Sequence, residues 1–271
     1  MDFKTKIIQK RYDGFLNTPS LWKGNGIQEL LQLDIPAESK QFNATIDEHQ
    51  RLGKYIEHFV FFQLNTTKAT KCIAENIQIK RHKVTIGELD CLFEKDNKPF
   101  HLEIVYKFYL YDETLGKNEI ERFIGPNRKD TLVEKLNKLK NKQLPLLYSK
   151  EGLAYLDSIG IHYSNIKQLL CFKAQLFIPF SFKKINLETI NEDCIVGFYV
   201  TKKELMNFET SKFYVPSKKD WLLQPYEKVS WVSYSQILNR TNEDLKKNFA
   251  PLLWIKSPKG TIDKCFLIWW S

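Results

Sequence analysis

Residues 84–107, VTIGELDCLFEKDNKPFHLEIVYK, constrain this chain more than any other stretch. Two runs rich in β-branched and aromatic residues flank the turn signal DNKP. With Asp96-Asn97 as a two-residue loop, Lys95 faces Lys98, and the register running back from that pair sets Asp90 opposite Glu103. A four-residue loop, suggested by Pro99, shifts the two acids by one diagonal but keeps them on one face, because strand side chains alternate. Lys107, four residues after Glu103, shares that face. Opposed like charges on a sheet are unfavourable unless something neutralises them. A divalent cation between the carboxylates, with a lysine beside them, would do so.

The flanks sharpen the point. Leu89, Cys91, Leu92 and Phe93 lie on one strand, and Leu102, Ile104, Val105 and Phe108 on the other. Apolar residues at successive positions indicate a central strand covered on both faces, where a charge needs a compensating partner. The plain alternative is the polar outer face of an antiparallel ribbon carrying a surface ion pair of little energetic weight. Spacing alone leaves the two open.

Two carboxylates and a lysine suit phosphodiester hydrolysis. Mg²⁺, or Mn²⁺ in its place, takes oxygen ligands, keeps several waters, lowers the pKa of a bound water and acts as a Lewis acid on phosphoryl oxygens. Asp90 and Glu103 are the expected metal ligands, with the Ile104 carbonyl as a third. Lys107 is placed to orient the attacking water or to stabilise transition-state charge. Glu57 is a further catalytic candidate at the edge of a helical apolar stripe, though such a Glu is more often a solvated flank residue. Glu88 faces the Asp90 side as a substitute ligand, and Gly87 is expected to permit a bulge or a close backbone approach.

Around the hairpin the chain reads as segments. Residues 1–44 form a helical and loop-rich approach punctuated by Pro19, Gly24, Gly26 and Pro36. Asp47 with Gln50 resembles a capping box for a helix reaching Leu64, with Leu52, Ile56, Phe59 and Val60 at helical spacing. Residues 72–80 read as a first strand. After Gly125-Pro126-Asn127 a helix near 129–143 buries Leu132, Leu136 and Leu139. Its other side shows Lys135, Lys138 and Lys142, either a solvated face or a nucleic-acid-binding one. Five of the six tryptophans lie beyond residue 150, among short β-prone runs. Helices are expected near Ser164–Leu170 and Asn242–Phe249. The resulting division is 1–44, 45–150 and 151–271, the last an aromatic-rich extension or second lobe.

A net charge of +9 attracts polyanions, which agrees with nucleic acid without requiring it. The five scattered cysteines form no CxxC pair and no zinc spacing. The N-terminal residues lack a signal-peptide core and no run approaches membrane-spanning length, so a cytoplasmic protein without a membrane partner is expected. Walker A, GxGxxG and GxSxG motifs are absent, which leaves P-loop, dinucleotide and α/β-hydrolase chemistry without support.

LGKYIEHFVFFQL (52–64), GELDCLF (87–93), HLEIVYKFYLY (101–111) and GPNRKDTLVEKLNKLKNKQLPL (125–146) resemble the PD-(D/E)XK nuclease superfamily and, more closely, the bacterial family called domain of unknown function 1853. The resemblance covers roughly residues 50–150, and CFKAQLFIPF extends it more loosely. It implies an α/β fold: a restriction-endonuclease-like αβββαβ core, a mixed central sheet flanked by helices, with a β-rich C-terminal extension. It assigns the helical acid to Glu57, the motif aspartate to Asp90, the second metal-binding acid to Glu103 and the lysine to Lys107, and it makes Gln143, at the end of the second helix, a weaker substrate-contact candidate. One departure stands out. The usual ExK lysine position holds Val105, and Lys107 comes two residues later, about 6–7 Å along an extended strand. The proline that usually precedes the aspartate is also missing.

The leading expectation is a Mg²⁺-dependent nuclease with DNA as the default substrate. A silent nucleic-acid-binding module is the second, since fold does not guarantee chemistry, with the C-terminal aromatics as stacking platforms. The third is a protein-interaction scaffold using an exposed tail from Phe266 to Trp270.

Overall fold

The computed structural model describes residues 3–23, 26–33, 35, 40–162 and 166–270. Gly24 and Pro36, read above as punctuation, lie outside them. The chain is mixed α/β and divides into two compact units, each discontinuous in sequence. The first comprises Ser20–Tyr106 and Glu134–Lys173; the second comprises Met1–Pro19, Lys107–Val133 and Ala174–Ser271. The contiguous division at 44 and 150 is therefore not the one the fold makes. The reason is that two long strands, β3 (Lys98–Tyr111) and β5 (Lys167–Pro179), each contribute residues to both units.

The first unit starts its sheet from helix α2 (Leu52–Thr66), followed by β1 (Thr70–Arg81), β2 (Val84–Lys95) and β3, with strand order β1-β2-β3-β5. β1, β2 and β3 are antiparallel neighbours. The hairpin register is the two-residue one. Lys95 pairs with Lys98 and Cys91 with Leu102, and Asp96 and Asn97 have φ of 51° and 59°, as a type I′ turn requires. Residues Leu89–Phe93 are all buried, which makes β2 a covered strand rather than the face of an exposed ribbon. Gly87 answers to both of its expected uses. The β1–β2 register shifts between Ile79 and Lys80, and a Cβ on Gly87 would sit 2.5 Å from a Leu146 methyl. Ile77, Ile79, Leu89, Leu92, Leu147, Leu156 and Ile166 form the apolar core here.

Three helical expectations are corrected. α2 begins at Leu52 with Arg51 as its N-cap and no side-chain cap. Asp47 instead accepts from the His49 N–H at 2.9 Å, closing a local turn, which is the competing use of Asp side chains. The segment after Ile166 is strand β5 from Lys167 onward; residues 164–165 of the expected helix lie outside the described residues. A short apolar run fits either period, and neighbouring strands decided it. The last helix runs over Tyr234–Lys246, earlier than Asn242–Phe249, because Ser233 and Gln236 form a complete capping box.

α3 (Leu132–Lys138) runs into a π turn over Leu139–Gln143 and a last turn at Leu144–Leu146. Pro145 has no N–H for the Asn141 carbonyl, and the helix widens just before it. Leu132, Leu136 and Leu139 are fully buried as the spacing predicts, each contributing about 2 kcal/mol. A further helix, α4 (Lys150–Ser158), is capped by Ser149.

The second unit also holds helix α1 (Phe3–Asn17) and the two-residue strand β4 (Phe123–Ile124), and its sheet is mixed: β5, β6 (Ile195–Thr201) and β9 (Ile262–Ile268) are parallel, and β9, β8 (Leu252–Lys256) and β7 (Lys212–Tyr214) antiparallel. Its core includes Val200, Phe213, Ile237, Leu253, Ile255 and Leu267. Trp221 and Trp254 are buried, as are Phe266, Leu267 and Ile268. Those two rings are core, and the tail expected as an exposed interface is mostly interior. Among the described residues no helix is long and apolar enough to cross a membrane.

Candidate metal centre

The acids of the first unit converge from two elements. Glu57 comes from the second turn of α2, and Glu88 and Asp90 from the same face of β2. One carboxylate oxygen from each lies within 4.8 Å of the others. Glu57 and Asp90 are buried and Glu88 half-buried. Glu57 is therefore not the solvated flank residue that its helix position favours. The apolar residues of α2, from Tyr55 to Leu64, are so widely buried that the edge of the stripe is interior too.

Lys54 is the cation of this cluster, and sequence reasoning missed it. Its Nζ lies 3.0 Å from Glu57 Oε2, bonds Glu88 Oε1 and donates to Asn76 Oδ1 at 2.6 Å. The signal available was its place three residues before Glu57, an i,i+3 neighbour on a helix. Gln78 donates to the other oxygen of Glu88. Burial opposes the charge on Lys54, but the bonds to Glu88 and Glu57 hold its pKa above the ordinary lysine value.

Asp90 and Glu57 are protonated more readily than in water. Burial first, then the neighbouring Glu103 and more weakly Glu57, push Asp90 up to about 7, against the Ile104 N–H that donates to Asp90 Oδ2 at 2.8 Å. Burial also raises Glu57, with Lys54 opposing it. These shifts have the causes expected for crowded, desolvated acids. It is the backbone N–H of Ile104, rather than its carbonyl, that the structure directs to Asp90.

Glu103 is fully buried and organised differently from the other three acids. His101, also fully buried, bonds Glu103 Oε1 through Nε2 at 3.1 Å. The amide nitrogen of Gln168 donates to the Leu144 carbonyl at 2.7 Å and to His101 Nδ1 at 2.9 Å. Nδ1 therefore accepts, and the ring hydrogen on Nε2 goes to Glu103. On the other oxygen, Gln143 Nε2 donates to Glu103, and Lys135 Nζ donates to Gln143 Oε1 at 2.8 Å. Gln143 thus joins the acidic site through Glu103. His101 and Gln168 went unremarked in the sequence, although His101 stands two residues before Glu103 and so shares its strand face.

Of the remaining expected site residues, Lys138 and Lys142 are exposed and Lys135 half-buried. Lys107 belongs to the second unit, where its Nζ lies 2.5 Å from Asp130 Oδ2. The structure thus brings Glu57, Asp90, Glu103, Gln143 and Lys135 into one connected neighbourhood, adds Lys54, Glu88, His101 and Gln168, and gives Lys107 a different partner.

An all-oxygen donor set of three carboxylates, too close and too buried to be comfortable as free anions, fits a hard divalent cation such as Mg²⁺ or Mn²⁺. No curated protein and no solved structure matches the chain. A family model does: the one described as Domain of unknown function (DUF1853) matches residues 10–264, and the chain belongs to that family.

Proposed function

We propose that the protein is a metal-dependent nuclease of the PD-(D/E)XK kind, hydrolysing phosphodiester bonds of nucleic acid, with DNA as the default substrate. The observation that carries this reading is the convergence of Glu57, Glu88 and Asp90 within 4.8 Å, beside Lys54. With the two-residue strand Phe123–Ile124 and helix α4 set aside as additions, the order α2-β1-β2-β3-α3-β5 supports it, since it follows the helix, three strands, helix, strand sequence of a restriction-endonuclease-like core.

Glu57, Glu88 and Asp90 would hold the cation, which when bound supplies Lewis acidity toward the phosphoryl group and a water of lowered pKa. The chain's own groups do the rest. Ile104 N–H fixes one oxygen of Asp90 and leaves the other for a ligand. Lys54, which bonds Glu57 and Glu88, would turn its ammonium to a phosphoryl oxygen once the acids have another positive partner. Glu103 is held by His101 and Gln143 as a fixed negative charge that raises the demand for a cation at Asp90. Exposed Lys138 and Lys142, on the helix that ends in Gln143, are suited to a phosphate backbone. In this reading Lys54 takes the role that the resemblance gave to Lys107.

One observation favours a second reading, a nucleic-acid-binding module without cleavage: the Lys54 ammonium already bonds two of the three acids. The deciding experiment is calorimetric titration with Mg²⁺ and with Mn²⁺, wild type beside Asp90→Ala, followed by a cleavage assay on labelled DNA and RNA. Cation binding and cleavage that both vanish in Asp90→Ala support the nuclease. Salt-sensitive binding of nucleic acid with no cleavage at any cation concentration supports the silent module. Cleavage retained in Asp90→Ala overturns the site.

A further inference from the structure

Cys72 in β1 and Cys91 in β2 stand on adjacent antiparallel strands of the first unit, sulfur 3.3 Å from sulfur. The register brings them together. Cys72 pairs with Phe93 and Glu75 with Cys91, so the two cysteines stand on a diagonal across the strands, beside the register irregularity between Cys72 and Ala74.

The two thiols differ in access. Cys72 is half-buried and Cys91 buried; Cys171, Cys194 and Cys265 are buried as well. Cys72 is therefore the one of the two that a small reagent in solvent meets first.

We propose that Cys72 and Cys91 are a modification site, a dithiol that a hydroperoxide oxidises reversibly to an intrachain disulfide joining β1 to β2. In the first step the Cys72 sulfur attacks a peroxide oxygen and the O–O bond breaks. The thiol proton leaves with the departing oxygen as alcohol or water, and Cys72 becomes a sulfenic acid. In the second step the Cys91 sulfur attacks the Cys72 sulfur, the S–O bond breaks, and hydroxide leaves with the Cys91 proton as water. Two thiols lose two electrons and the peroxide gains them. Bond formation closes the sulfurs from 3.3 Å to about 2.0 Å. A small dithiol reverses the reaction by exchange.

The test treats the full chain with hydrogen peroxide, alkylates free thiols after unfolding, and reads the peptides by mass spectrometry. The expected result is a cross-linked peptide pair carrying Cys72 and Cys91, with the other three cysteines alkylated and the link lost after dithiothreitol. In Cys91→Ser, Cys72 should stop at the sulfenic acid and be captured by dimedone. The proposal is overturned if peroxide leaves all thiols free, links any other pair, or takes Cys72 to sulfinic acid without a cross-link. The wild-type arm decides alone should Cys91→Ser fail to fold.

Discussion

His101 hands its Nε2 hydrogen to Glu103 across 3.1 Å, and neither side chain has any exposed surface. A buried carboxylate keeps its place only while its oxygens are bonded, because solvent is not there to replace a lost partner. His101→Ala removes one of the two side-chain donors to Glu103, orphans the Gln168 amide hydrogen and opens a cavity. The expected cost is about 3 kcal/mol of unfolding free energy, measured by urea denaturation. A loss below about 1 kcal/mol would show that water substitutes freely and that Glu103 is less enclosed than its surroundings imply.

Asp90 makes stability depend on pH in an unusual direction. Its pKa rises from an ordinary 3.8 to about 7 in the fold, so across that interval the native state holds a proton that the unfolded chain has released. Stability from this group is complete below the unfolded value and is lost as pH rises toward 7. Asp90→Asn removes the dependence while keeping an acceptor for the Ile104 N–H. The difference in stability between variant and wild type should grow in the variant's favour from pH 4 to pH 7 and then level off. A difference that is flat across this range counts against a raised Asp90.

The same proton competes with a cation. In the metal-binding reading, Mg²⁺ or Mn²⁺ affinity should climb about tenfold per pH unit below 7 and flatten above it, since the protonated carboxyl must ionise before it can ligate. Calorimetry at four pH values checks this. Affinity independent of pH between 5 and 7 would place the cation away from Asp90.

Gly87 shows what a strand sequence discloses and what it hides. A glycine inside an apolar alternation announces that something comes close, and Leu146 does. The hairpin was equally legible, because Asn and Asp at a two-residue loop tolerate positive φ and thereby fix the register. Glu57 was legible as a candidate but its burial was not, because a helical edge position is solvated or buried according to what packs over it. Lys54 was hidden for the same reason: i,i+3 spacing marks an ordinary surface pair until the helix is laid against β1 and β2. The Lys107 assignment rested on strand parity, which fixes the face but not the partner, and Asp130 lies beyond any local pattern. Gly87→Ala should cost roughly 1 kcal/mol, because Leu146 can swing its methyl aside, and Gly87→Val about 2–3 kcal/mol. Equal stability of Gly87→Val and wild type would mean the approach of Leu146 is not held.

Lys54 separates two jobs that one ammonium can do. If it only neutralises Glu57 and Glu88 in the resting fold, Lys54→Met leaves three acids without their cation, and Mg²⁺ should bind more tightly because it no longer displaces an ion pair. If it also meets the phosphoryl oxygen, the same variant binds Mg²⁺ at least as well yet loses cleavage by about 10²–10³-fold, the scale on which a single electrostatic stabiliser acts. The nuclease reading expects the second outcome, with nucleic-acid affinity reduced only slightly. Lys54→Arg should keep the ion pairs but misplace the charge, recovering little activity. Cleavage that survives Lys54→Met and disappears in Lys107→Met would return the catalytic role to Lys107, and the Lys54 pairs would then be structural.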